Sequence, residues 1–206
     1  MSWIEATTPT TYPMTLDTAR QHLNLSTTHD DEYLNTLIDA ATHYVEKRTN
    51  TRLLTRRIEL RMDGFEDERY LESSTYDSRN NIRLPLHPAS STNASYPTVQ
   101  YVDTSGTTVT LGTSVWRITT NEPRQITLEH NESWPAVRVQ QENVLVTYEA
   151  GYGTTQTSVP ANVLHALKLL VGHWYRNREA VEVGTASAKI EFAVDSLLED
   201  ERYLYR

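Results

Sequence analysis

The chain predicts an α+β fold, a helical bundle of two N-terminal and two C-terminal helices interrupted by an all-β insertion. Three observations lead there. Apolar residues recur at helical spacing up to about residue 50, alternate one by one through much of 55–153, and return to helical spacing after Pro160. A length of 206 residues is enough to bury a core. The hydrophobic fraction of 38% and mean hydropathy of −0.56 lie on the polar side for a lone globule, which hints that another subunit finishes part of the surface.

The opening residues 1–14, rich in Thr and Pro, read as an arm rather than a packed element. Thr15 suits the N-cap of a short helix over LDTARQHL, with Leu16, Ala19, Arg20 and Leu23 in register. After the polar break NLSTTHDD, Asp30 and Asp31 place negative charge at the start of a longer helix, where the dipole favours it. In that helix Leu34, Leu37, Ile38, Ala41 and Val45 form one apolar stripe. Lys47 and Arg48 suit its C-terminal end, and Asn50 its left-handed stop.

Ile58, Leu60 and Met62 then alternate with charged residues, which is strand logic. DGFEDERYLESSTYDSRNN reads as a loop, IRLPL as a short strand and HPASSTNASYP as a surface loop. VQYVDTSGTTVTL reads as a hairpin turning at Ser105-Gly106, with Val99 and Tyr101 before the turn and Val109 and Leu111 after it. Further strands are expected at VWRIT, QITL and NVLVTYEAGYG. Helix resumes with Pro160 in its first turn and Ser158 as its cap, and Val163, Leu164, Leu167, Leu170, Val171 and Trp174 make a broad apolar face. A last helix covers EFAVDSLLEDERYLY. The expected parts are an arm (1–14), helical segments at 15–54 and 158–206, and a β insertion at 55–157.

Composition excludes several classes of function. Cys 0 rules out disulfides, thiolate zinc sites and cysteine nucleophiles. A net charge of −8 and pI near 5.4 disfavour a protein that grips nucleic-acid phosphates. MSWIEATTPTTYPM lacks the basic start and apolar core of a signal peptide, and no apolar run nears the roughly 20 residues of a membrane span, so a soluble protein is expected. His165 and His173 stand roughly 10 Å or more apart along a helix, too far to share one ion. No HExxH or GxSxG occurs, and the glycines of AGYGTTQ and VGTAS lack phosphate-loop context. Asp30-Asp31 and Glu199-Asp200-Glu201 lack the loop spacing and glycine turn of a cation site. No catalytic residue, metal ligand or cofactor is implied. A hydrolase or metal-dependent enzyme with its site in the β block is the competing reading, and it needs convergent polar residues that the sequence does not display.

The stretch LLVGHWYRNREA at 169–180 reads instead as a helix end built for packing and docking. Trp174 continues the apolar stripe as a core anchor, while Arg176, Arg178 and Glu179 sit at the C-terminal end. Arg178 is placed to fork onto a carboxylate of a neighbouring element or subunit.

From about Thr15 to Leu198 the order of these segments resembles the head–tail connector (portal adaptor, head-completion) proteins of long-tailed phages and gene transfer agents. The resemblance is carried chiefly by SVPANVLHALKLLVGHWYRNREAV. DDEYLNTLIDAATHYVEKRTNTRLLT, IRLPLHP, VQYVDTSGTTVTL, VLVTYEAGYG and EFAVDSLL support it. Departures are Arg176, where members often carry an acid, and HPASSTNASYP, where a more apolar proline-rich segment is usual. The resemblance implies a structural virion protein, assembled in the host cytoplasm and located in the neck. It implies a homo-oligomeric ring of twelve subunits that docks on the portal and links it to a downstream head-completion or tail component. DNA would pass through the channel without specific binding, and an acidic lumen would let it slide. By the same resemblance Phe192, Val194, Leu197, Leu198 and Tyr203 are candidates for portal contact. The alternative is that this stripe closes the protomer's own bundle.

Overall fold

Helical and alternating apolar patterns segregate in space as they do along the chain. The computed structural model describes residues 2–65, 71–74, 77–89, 97–178 and 185–203. Among these are four α-helices and two antiparallel sheets, an α+β fold. Two compact units result. One joins Pro9–Thr55 to Tyr152–Leu204, and the other joins Met1–Thr8 to Arg56–Gly151.

The helical unit contains α1 (Leu16–Leu23), α2 (Asp31–Thr49), α3 (Ala161–Arg176) and α4 (Thr185–Leu198). Thr15 caps α1 by accepting the Thr18 N–H, and Asn24 and Asn50 close α1 and α2 in the left-handed conformation that asparagine tolerates. The α2 stripe of Leu34, Leu37, Ile38, Ala41 and Val45 is buried against Val163, Ala166, Leu167, Leu170 and Val171 of α3. Gly172 sits so close to α1 that a Cβ there would lie 3.1 Å from His22 Nε2. Ser158, expected as the cap of α3, lies instead in a short three-ten turn, Gln156–Ser158. Pro160 occupies the cap position and supplies no side-chain bond. Gln156 is the useful polar residue of that turn, accepting the Thr15 N–H at 2.7 Å.

Glu46 is buried on the inner side of α2, where a carboxylate needs partners. Its Oε1 accepts the Leu53 N–H at 3.0 Å and Arg52 stands 4.0 Å from Oε2, so the carboxylate organises the exit from α2.

The β unit holds a five-stranded sheet in the order β1-β2-β9-β5-β6 and a four-stranded sheet in the order β3-β4-β8-β7. The strands are β1 (Ser2–Glu5), β2 (Arg56–Met62), β3 (Leu71–Ser74), β4 (Asp77–Arg83), β5 (Thr98–Val102), β6 (Thr108–Thr110), β7 (Trp116–Ile118), β8 (Gln125–Leu128) and β9 (Val144–Ala150). Alternation works as expected in β2 and β9. Ile58, Leu60 and Met62 and, from β9, Val144, Val146, Tyr148 and Ala150 point into one core with Ile82, Trp116 and Ile126 of the second sheet. The expected hairpin is present, with Tyr101 opposite Val109 and Asp103 Oδ1 accepting the N–H groups of Ser105 and Thr107.

Two segments differ from expectation. Ser2–Glu5 forms an edge strand along β2 rather than an unpacked arm, with Trp3 opposite Leu60, and Arg56 pairs with Glu5 at 2.6 Å. So short a strand gives alternation no room to register, and its partner lies beyond both N-terminal helices in the chain. The stretch read as a loop contains β3 and most of β4, paired Leu71 to Ile82 with an irregularity between Glu72 and Ser74. Its polar composition hides strand periodicity, and the pairing is supplied by neighbouring strands.

Glu46→Ala strands the buried Leu53 N–H and should destabilise the protein by about 1–3 kcal/mol. Denaturant unfolding followed by circular dichroism checks this, and Glu46→Gln, which keeps the acceptor, should recover part of the loss.

Candidate docking surface

The end of α3 is held by the start of α2. Tyr175 donates its hydroxyl to Asp30 Oδ2, and Arg178 donates to Asp30 Oδ1 at 3.2 Å. The Arg178 guanidinium lies 4.6 Å from the Tyr33 ring centroid and 5.1 Å from that of Tyr175, a cation on two aromatic faces. The docking carboxylate is thus within the protomer. Arg178 meets it through one N–H rather than the expected fork. The fork is formed by Arg20 of α1, whose Nε and Nη2 engage the two oxygens of Asp31 while its Nη1 reaches Asp17 at 2.8 Å.

These contacts set the electrostatics. The Tyr175 hydroxyl, joined by Arg178 and opposed by burial, holds Asp30 below the ordinary carboxylate value, and Arg20 does the same for Asp31. Hydrogen bonding to Asp30 pushes the Tyr175 phenol up. Trp174 is half-buried at the edge of the core, its ring edge-on to Tyr44 at 6.2 Å. Arg176 is exposed and takes no part in the Asp30 cluster. Glu179 lies outside the described residues.

The five C-terminal candidates separate. Val194 and Leu198 are 0% exposed and belong to the core of their own bundle, which removes them from any free surface. Their helical spacing marks an apolar face without saying what covers it. Leu197 is half-buried against the same core. The Tyr203 N–H reaches the Thr49 carbonyl at 3.0 Å. Phe192 alone of the five is open, at 78% exposure. Burying Val194 and Leu198 is worth about 1.5–3 kcal/mol each, against at most about 1 kcal/mol for an exposed ion pair. Burial therefore holds α4, and the Arg48–Asp195 fork at 2.8 and 2.6 Å orients it. Glu201 accepts from Tyr152 and Asn162 and ties down the turn that follows.

Residues 13–99 match the family model described as phage gp6-like head-tail connector protein. The fold of the chain is similar to solved structures throughout its length. One is described as "Neck of empty GTA particle computed with C6 symmetry", with TM-score 0.76 and 21% identity. A second, "Virion of native gene transfer agent (GTA) particle", has TM-score 0.73 and 20% identity. A third, "Neck of native GTA particle computed with C12 symmetry", has TM-score 0.72 and 20% identity. Each likeness covers 100% of this chain and 97% of the other. The comparison with curated proteins returned no match.

The polar cluster at the α3 end belongs to the helical unit, where it joins the end of α3 to the start of α2. The described residues contain no group of three or more His, Asp or Glu placed to hold a metal ion, and no helix among them is long and apolar enough to cross a membrane. One polar pair in the β unit was not legible in the sequence. The fully buried His87 ring places Nδ1 2.8 Å from Glu122 Oε2, and Glu122 also accepts the N–H groups of Ala89 and Arg124. Burial raises the Glu122 pKa, but the His87 contact and Arg124 outweigh it and leave the carboxyl below its ordinary value. A proline after each residue in a polar stretch is the only local signal, and the two residues come from separate loops. The pair staples those loops of the β unit together.

Asp30, Asp31 and Asp195 all have folded pKa values below their unfolded ones. Their contribution is complete above the unfolded value near 4 and is lost as pH falls through the folded values. Thermal melting at stepped pH should show the wild-type midpoint falling below about pH 4. Asp30→Asn should have a lower midpoint at pH 7 and a shallower acid dependence.

Proposed function

We propose that this chain is a structural connector subunit that forms a ring in the neck of a phage-like particle, docks on the head's portal and links it to the next neck or tail component. The head–tail connector match over residues 13–99 is the observation that carries this reading. Support for the ring comes from the six-fold and twelve-fold symmetry named for neck assemblies of the same fold. The role is mechanical, joining two assemblies around a channel for DNA, with no chemical step and no cofactor. A net charge of −8 suits a channel through which a polyanion slides rather than sticks.

Portal contact is assigned to the exposed side of α4. Phe192 is the anchor, since an aromatic ring left in water on a helix held rigidly by its opposite face is preorganised for a partner's pocket. Leu197 and Tyr203, both half-buried, flank it on the same C-terminal segment. The location is tested by imaging purified particles with a tag on this chain. Label at the neck supports the connector role, and label elsewhere, or absence of the chain from particles, overturns it.

Phe192→Asp should leave the melting temperature near that of wild type, as surface changes do, while portal binding falls roughly tenfold or more. Leu198→Ala should instead lose about 2–5 kcal/mol of stability. Calorimetry and a portal co-sedimentation assay separate the two.

A further inference from the structure

We propose that the α1–α3 face carrying His22, His165, Lys168 and Arg176 receives the Glu199–Asp200 turn of a neighbouring copy, forming the contact between successive subunits of the ring. The inference rests on the ring reading above and adds the surface and its chemistry.

On α3, positions 165, 168, 172 and 176 follow one another at helical spacing, so His165, Lys168 and Arg176 share a face with Gly172. Gly172 has no side chain, and the His22 ring of α1 sits over it, 3.1 Å from where a Cβ would be. Four basic side chains thus gather on one face. Burial and then the Lys168, His165 and Arg176 charges push the His22 pKa down, as expected for a ring among cations. His22, His165 and Arg176 are exposed, Lys168 is half-buried, and none of the four has a carboxylate partner among the described residues. Three arginines of the helical unit behave differently. Arg20, Arg48 and Arg178 each hold an aspartate.

The same chain carries a complementary surplus. Glu199 and Asp200 are exposed, directly follow α4 and have no cationic partner among the described residues, whereas neighbouring Glu201 is occupied by Tyr152 and Asn162. Acids at a helix C-terminus face the negative end of the dipole, and the last turn of α4 contains no basic residue to offset them. Each cluster gathers charge of one sign, and each is what the other lacks. They do not pair within one protomer. A contact between two different surfaces of identical chains is heterologous, the kind that propagates around a ring.

A second copy fits this face better than nucleic acid. Only Lys168 and Arg176 are permanent cations there, far short of the roughly 6–10 phosphate contacts behind strong salt-dependent DNA binding. Two cations and two titratable rings match a pair of carboxylates.

Charge reversal tests this. Sedimentation velocity should show wild-type self-association at low salt that weakens at high salt. The pair K168E and R176E in one chain, or E199K and D200K in one chain, should each reduce association roughly tenfold or more. Mixing the two variants should restore it, because each then supplies the face the other requires. A monomeric wild type at low salt, reversed variants that associate like wild type, or a mixture of folded variants that stays dissociated would overturn the proposal. A second measurement does not depend on tolerated charge reversal. The chain has Cys 0, so Arg176→Cys with Asp200→Cys introduces the only thiols, and a flexible bis-maleimide should give a ladder of covalent multimers in assembled particles. Neck rings without a ladder would leave the ring reading standing and reject this contact. Particles whose neck contains no ring of this chain would reject both.

Discussion

The helical unit depends on burial along α3. Helices α1, α2 and α4 all pack on it, and its Val163, Ala166, Leu167, Leu170 and Val171 are at most 4% exposed. Small residues at Ala166 and Gly172 let neighbours come close, and the longer side chains fill the space between. With apolar contact supplying most of the stabilisation, the polar residues at the helix ends are free to act as position markers. Asp30 and Asp31 show this. They lie at the start of α2, one engaged by the end of α3 and the other by α1, so three helices are aligned at a single point.

The β unit solves a different problem. Its two sheets bury an apolar interior, but the loops crossing that interior carry polar backbone that must be satisfied. Tyr148 meets this need from inside the core by accepting the Leu86 N–H at 3.0 Å. Glu122 meets it with a carboxylate shared among His87 and two backbone N–H groups, and Asn143 donates to the carbonyls of Val102 and Arg138. These polar contacts lie in a low-dielectric setting, where an unpaired partner is costly. They tie together the loops of the β unit.

The proposed connector role calls for a protomer that is stable before assembly and still presents surfaces for a neighbour to complete. Both demands are visible in one element. The inner side of α4 is consumed by the protomer through Val194 and Leu198, while Phe192 on its outer side remains in water. Charge is divided in the same way. Arg20, Arg48 and Arg178 are neutralised locally, whereas Lys168 and Arg176 on the α1–α3 face have no carboxylate partner among the described residues.

Periodicity alone determined the α2 stripe, the alternation of β2 and β9, the Thr15 cap and the Asn50 stop, because each is a local rule read within one or two turns of chain. The order of those segments also carried the likeness to the head–tail connectors. Tertiary structure decided what local rules leave open. It paired Ser2–Glu5 with a strand that follows both N-terminal helices, turned a polar stretch into β3 and β4, and brought His87 to Glu122. It also sorted the apolar residues of the last helix, burying Val194 and Leu198 and exposing Phe192. Spacing places side chains on a face, but which face meets a core depends on the other elements packed around it, and those arrive from distant parts of the chain.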